Sequence, residues 1–323
     1  MLRCRFGLAS VLALLLVLPA LAQDKAVIDW KFEKGKTFYQ ELTTITTQNM
    51  KVMGQEVVQK QNQTFYFSFT AKDEKEGVWT IVQKIEGVKM SIEIAGQSIS
   101  YDSTNPTTAP NPLAEFFKSL INSEFTLTLD KAKRVTKVEG REDFVKKLTA
   151  ANAQMQPLLK EILTDESLKQ MADPTFGMVA GKEVAKGEAW ERKNTVSLGP
   201  IGGYDSTYKY IYDGKEKVTV GGKEETRDKI KIETTLTYKT PAPTTDTTLP
   251  FKIKSADLKT KDAGGTAVFD SAKGRLESMK LTQKLEGPID VEIAGQTSKV
   301  DLKQEQTTEI KTSDTSPLVK KPT

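Results

Sequence analysis

Apolar and polar residues alternate with a period of two over most of this 323-residue chain, and that pattern restricts it to half-buried antiparallel strands. Phe65, Phe67 and Phe69 share one parity with polar or small residues between them, as do Trp79, Ile81 and Ile85. The pattern returns in Phe125, Leu127 and Leu129, in Tyr208, Tyr210 and Tyr212, in Ile230, Ile232, Leu236 and Tyr238, and in Met279, Leu281 and Leu285. Threonine-rich stretches such as Leu42 to Thr47 suit a solvent-facing strand, because a β-branched hydroxyl tolerates both the pleat and water. Residues 24–102 and 203–310 are therefore expected to be mostly antiparallel β.

The runs are punctuated by an apolar-x-Gly-polar signature at Val52 to Gln55, Ile94 to Gln97, Val220 to Lys223 and Ile293 to Gln296. Glycine supplies the positive φ of a tight hairpin. A phosphate-cradling loop would need these glycines at a helix start, whereas each lies between strands. Two of the signatures belong to a longer repeat. Gln83-Lys-Ile-Glu-Gly87 followed by Glu93 to Gln97 returns as Gln283-Lys-Leu-Glu-Gly287 followed by Glu292 to Gln296. Two related β halves are the inference, with two good hairpin sequences as the bland alternative.

The period changes to helical between about 111 and 172. Asn111 can cap a helix opened by Pro112, placing Leu113, Phe116, Phe117, Leu120 and Ile121 on one face. That face either packs as ordinary core or lines an apolar cavity. A hairpin from Phe125 to Gly140 follows, then a helical stretch from Glu142 to Ala172 broken near Pro157 and Asp165. The fold class is thus mainly β, of the α+β kind: antiparallel sheets forming two related β halves or a half-barrel, with a central helical insert. The expected division is a signal peptide (1–22), an N-terminal β half with one short helix (23–140), a helical insert (141–180), a C-terminal β half (181–311) and a disordered tail (312–323). Pro241 to Pro250 reads as an extended connector.

At the N-terminus, Arg3 and Arg5 precede the apolar run Leu8 to Leu21 and the small-residue pair Ala20-x-Ala22, the order a signal peptidase reads. Cleavage between Ala22 and Gln23 is expected, with export to the periplasm or the cell exterior. The run is shorter than the roughly 20 residues of a spanning helix, and no later apolar stretch of that length lacks charge, so no membrane span is expected after processing. Cys4 lies before the apolar run, away from where lipid would attach, and the processed chain has no cysteine and no disulfide. Without Arg3 and Arg5, 45 basic residues face 43 acidic ones, and these are interleaved rather than clustered. No nucleic-acid surface is expected.

The chain has no histidine, which removes Ser/His/Asp and Cys/His systems and nearly all structural zinc sites. No P-loop, dinucleotide fingerprint or calcium loop is present, and no cofactor or metal site is expected. The residues from Trp30 to Thr47, the turn Met53-Gly-Gln-Glu56 and the hairpin Phe125 to Leu129 with Val135 to Gly140 form one part of a further pattern. Gly187 to Trp190 and Val268-Phe-Asp270 with Gly274-Arg-Leu276 form the other. Together they resemble an uncharacterised, β-rich family of bacterial exported proteins known only as a domain of unknown function. That resemblance implies no catalytic residue, ligand or activity.

Three readings follow. The first is an exported non-catalytic binding or structural protein engaging an envelope component. The second is a periplasmic carrier of lipid or another apolar small molecule in a half-barrel, with Phe116, Phe117 and Leu120 lining the cavity. The third is a carboxylate-based enzyme, for which the sequence singles out no pair of acids.

Overall fold

The computed structural model describes residues 24–318 apart from 53, 106–111, 152, 154–155, 242–248, 250 and 294. The expected signal peptide with its Ala22–Gln23 cleavage point, the side chain of Leu113, most of the Pro241–Pro250 connector and residues 319–323 of the expected tail lie outside the described residues.

The N-terminal strands are β1 (Lys25–Val27), β2 (Thr37–Val52), β3 (Gln55–Lys75), β4 (Val78–Ile94) and β5 (Gln97–Asp102). After α1 (Pro112–Leu120) come β6 (Glu124–Leu129), β7 (Val135–Glu139), and the helices α2 (Arg141–Ala151), α3 (Gln156–Ile162) and α4 (Asp165–Phe176). The rest is strand: β8 (Glu183–Ala185), β9 (Ala189–Ser197), β10 (Gly203–Val220), β11 (Lys223–Lys239), β12 (Phe251–Ala256), β13 (Lys259–Asp270), β14 (Arg275–Ile293) and β15 (Gln296–Ser313). Antiparallel β dominates, as the alternation requires. Thirteen strands form one sheet in the order β7-β6-β4-β3-β2-β15-β14-β13-β11-β10-β9, with β5 on β4 and β12 on β14. β1 and β8 form a separate two-stranded ribbon that the sequence pattern did not reveal.

The four Gly signatures close the hairpins β2–β3, β4–β5, β10–β11 and β14–β15. At Gly96, φ is +82°, which a side chain would disfavour. The repeat has a structural cause. β4 pairs with β5 above Gly87 and with β6 below it, and β14 pairs with β12 above Gly287 and with β13 below it. Each repeat therefore marks a long strand whose neighbour is exchanged part-way along. A Cβ on Gly287 would lie 1.9 Å from the Asp257 carbonyl oxygen, so only glycine lets the incoming chain approach there. The two repeats sit in one continuous sheet, joined through the β2–β15 pairing from Tyr39↔Ser313 to Val52↔Val300.

The helices cover the inward face of the sheet's lower part. Trp30, 3% exposed, is the hub, stacking on Phe32 and Phe38 and meeting Phe176 of α4 and Phe269 of β13 edge-on. α4 also packs against both end strands of the open sheet, β7 and β9, whose outer edges would otherwise present unpaired backbone groups. The Asp173 carboxylate accepts the Val135 N–H of edge strand β7 at 2.9 Å and two nitrogens of Arg192 on edge strand β9, the nearer at 2.7 Å. Ser167 Oγ donates to the Ser197 carbonyl of β9 at 3.2 Å.

Two sequence expectations need correction. α4 continues through Pro174 to Phe176, four residues beyond the end expected near Ala172. Proline removes the N–H that would serve the Gln170 carbonyl, and the Asn194 side-chain amide donates to that carbonyl instead, at 3.3 Å. In the expected tail, residues 312 and 313 complete β15, Asp314 accepts from Lys273 and Arg275, and Leu318 lies over Gly87. No helix of the described residues is long and apolar enough to cross a membrane.

Candidate functional site

The alternation of β3 places Phe65, Phe67 and Phe69 on the inward face, with Phe65 and Phe67 stacked at 5.6 Å between ring centroids. Register then sets Leu42 of β2 opposite Phe65, and Ile310 of β15 opposite Leu42. Above this floor lie Phe144 of α2 and the α4 residues Leu168, Met171 and Ala172. Phe125 and Leu127 of β6 form a side wall, with Phe125 meeting Phe144 edge-on at 4.9 Å. These surfaces do not meet fully, and a cavity of about 340 Å³ remains between sheet and helices. Among its lining side chains none is charged; the polar ones are Gln40, Gln63, Gln83 and Thr175. Gln40 is 3% exposed and donates to Thr312 Oγ1 at 3.2 Å, which keeps its amide satisfied. Met171, 42% exposed, and half-buried Gln63 mark the mouth.

The expected ligand face is only partly here. Leu120 lines the cavity, whereas Phe117, buried, stacks on Tyr101 of β5 at 6.2 Å and meets Phe116 edge-on at 5.5 Å. Phe116 and Ile121 are half-buried against the same core. The residues that do shape the cavity, Phe65, Phe67 and Phe69, were legible as strand residues but not as a binding wall. Three phenylalanines at period two mark an inward strand face, but that pattern is the same for packed core and for a face that borders a gap.

A larger depression of about 700 Å³ lies at the far end of the long strands, beside Gly287 and Leu302. Charged side chains line it, among them the pairs Lys261 with Glu286 at 2.9 Å and Lys259 with Asp257 at 3.4 Å. Charge is also compensated deeper in the molecule. Arg227, 5% exposed, is held by Glu225, Glu277 and Asp270, and Asp228 accepts from Tyr212 at 2.8 Å and Ser271 at 2.5 Å. Burial raises the Tyr212 phenol, and its bond to Asp228 raises it further. Burial pushes Tyr238 up to about 12. These tyrosines stay neutral donors and hold strands together. No group of three or more His, Cys, Asp or Glu residues among the described residues could hold a metal ion.

No curated protein matches the chain. Among solved structures, lipovitellin, studied for its lipid–protein interactions, has a TM-score of 0.48 at 11% identity, covering 90% of this chain. This chain spans only 27% of that structure. The COG4313 outer membrane channel from Pseudomonas putida F1 has a TM-score of 0.24 at 8% identity, covering 88% of this chain and 98% of the channel. An exported protein with a YmcC-like fold from Bacteroides fragilis has a TM-score of 0.21 at 6% identity, covering 85% of this chain and 97% of that one. A family model matches residues 76–242, from the start of β4 past the end of β11 and more than half of the chain, and the protein therefore belongs to DUF6263, a family of unknown function.

Proposed function

We propose that this chain is an exported, non-catalytic binding protein that holds an apolar ligand between its open sheet and its helices. The observation that carries this reading is the cavity of about 340 Å³ floored by Phe65, Phe67 and Phe69 and lined by no charged side chain. Such a volume falls in the range of small-molecule sites, which are mostly apolar with a few polar groups. The absence of any titratable side chain from the lining gives it nothing with which to move a proton. Export, to the periplasm or the cell exterior, is supported by the basic, apolar and small-residue order of residues 3–22.

Filling the cavity tests the reading. The protein is purified from its native host compartment and examined by native mass spectrometry beside an Ala172→Trp variant, and a parallel sample is extracted with organic solvent to identify any bound molecule. The wild type is expected to carry an apolar molecule, and the variant to lose it while keeping its circular dichroism spectrum. A wild type that carries none, and that binds no acyl-chain probe, overturns the proposal.

A further inference from the structure

Above the phenylalanines, the inward face of β3, β2, β15 and β14 changes from aromatic to amide and hydroxyl. One row across the four strands reads Gln61, Thr46, Gln306, Gln283, each directly opposite the next in register. The rows on either side hold Gln63 with Thr44 and Gln59 with Gln48. Every pairing in this part of the sheet runs without a bulge, so parity is unbroken. As a result, each charged residue of β2 from 38 to 52, β3 from 55 to 71, β14 from 279 to 293 and β15 from 298 to 312 falls on the outward face. There they pair across strands, Lys280 with Glu309 at 2.8 Å and Lys284 with Glu305 at 3.6 Å.

Solubility alone would favour charge on any half-exposed face, and its complete exclusion from this one is a constraint of a different kind. The wall is half-buried rather than sealed, and Gln63 belongs both to it and to the cavity mouth. Its amides are already aligned by their neighbours, Gln48 Nε2 donating to Gln304 Oε1 at 2.6 Å and Gln61 Nε2 to Gln63 Oε1 at 2.9 Å. An amide offers donor and acceptor together, which matches a hydroxyl, itself both donor and acceptor. A carboxylate or phosphate is acceptor-only and would find no Lys or Arg here to offset its lost hydration.

We infer that this wall receives the uncharged, hydroxyl-bearing headgroup of an amphiphile whose apolar chain occupies the cavity. The inference rests on the apolar-ligand reading above and adds the class of headgroup. The test compares three probes with one lauroyl chain, monolauroylglycerol, lauric acid and lauroyl lysophosphatidic acid, titrated at neutral pH into the full-length protein stripped of bound molecules. Monolauroylglycerol is expected to bind at least about tenfold more tightly than either charged probe, one unpaired charge or a few hydrogen bonds being worth that much. In Gln61→Leu/Gln306→Leu that preference is expected to collapse to within about threefold while binding of the chain persists. Gln304→Glu, a second variant on the same face, is expected to weaken monolauroylglycerol without affecting the fold, which circular dichroism follows. Equal affinity for all three probes, or a preference unchanged in the double variant, overturns the headgroup assignment and leaves the cavity reading standing. Failure of all three to bind overturns both.

Discussion

Phe117 and Phe67 are both inward phenylalanines, yet their neighbours differ. Phe117 is 6% exposed and enclosed by Tyr101, Phe116 and the sheet, whereas one side of Phe67 borders the cavity. Phe117→Ala should cost about 3 to 5 kcal/mol, because it opens a void in packed core. Phe67→Ala should cost less than the lower of those values, because its ring already lacks neighbours on one side, and it should change the affinity for an acyl-chain probe. Chemical denaturation of the two variants beside probe titration checks both halves of this expectation. A loss for Phe67→Ala equal to that for Phe117→Ala would mean that the cavity is effectively packed. The helical spacing of Phe117 was legible in the sequence. Which aromatic borders a gap was not, because that depends on how closely α4 approaches β3.

α4 shows how an element acquires roles that its own sequence does not display. Its start was readable: Thr164 caps it, accepting the Ser167 N–H at 3.0 Å, and Asp165 and Glu166 fill the first turn. Its end was not, since the group that compensates for Pro174 is Asn194, on a strand 20 residues further along. The same helix joins both end strands of the sheet through Asp173 and Arg192, which are 14% and 8% exposed at their side chains. Asp173→Ala leaves the Arg192 guanidinium buried without its carboxylate, and a loss of about 3 to 5 kcal/mol is expected. Hydrogen exchange should locate the damage, with the Val135 amide losing protection first, since its acceptor is removed. Unchanged exchange at Val135 would show that the edge of β7 is held by some other contact. Because α4 also roofs the cavity, the clasp that joins the end strands fixes the height of the ligand space.

Over the whole molecule, charge and period set different things. The chain has no histidine, and its shifted carboxylates are shifted downwards. The hydrogen bonds from Arg275 and Lys273 hold Asp314 at about 2, and the bonds from Lys280 and Lys231 lower Glu309 and Glu233. A carboxylate with a depressed folded pKa contributes stability that is present above its unfolded pKa and lost as pH falls through the folded one. Stability should therefore be nearly flat between about pH 6 and 8, where a chain without histidine has no side chain that ordinarily titrates, and fall below about pH 4. Asp314→Asn should cost under about 1 kcal/mol at neutral pH, its carboxylate being largely exposed, and its difference from wild type should vanish as pH approaches 2. Thermal unfolding across that range measures both effects, and a midpoint that moves between pH 6 and 8 would contradict the first. The sequence by itself determined the long strands, their inward and outward parity, the hairpin turns and the helical interval, because each follows from the local periods of side-chain placement and from glycine geometry. It also carried the repeat around Gly87 and Gly287, from which two related β halves were expected, but the exchange of neighbouring strands at each is a tertiary fact. Only the tertiary structure decided that one sheet runs through both repeats, since the β2–β15 pairing joins residues more than 240 positions apart and leaves no local signature. It alone decided where the cavity lies, because a gap is the space left by surfaces brought together from distant parts of the chain.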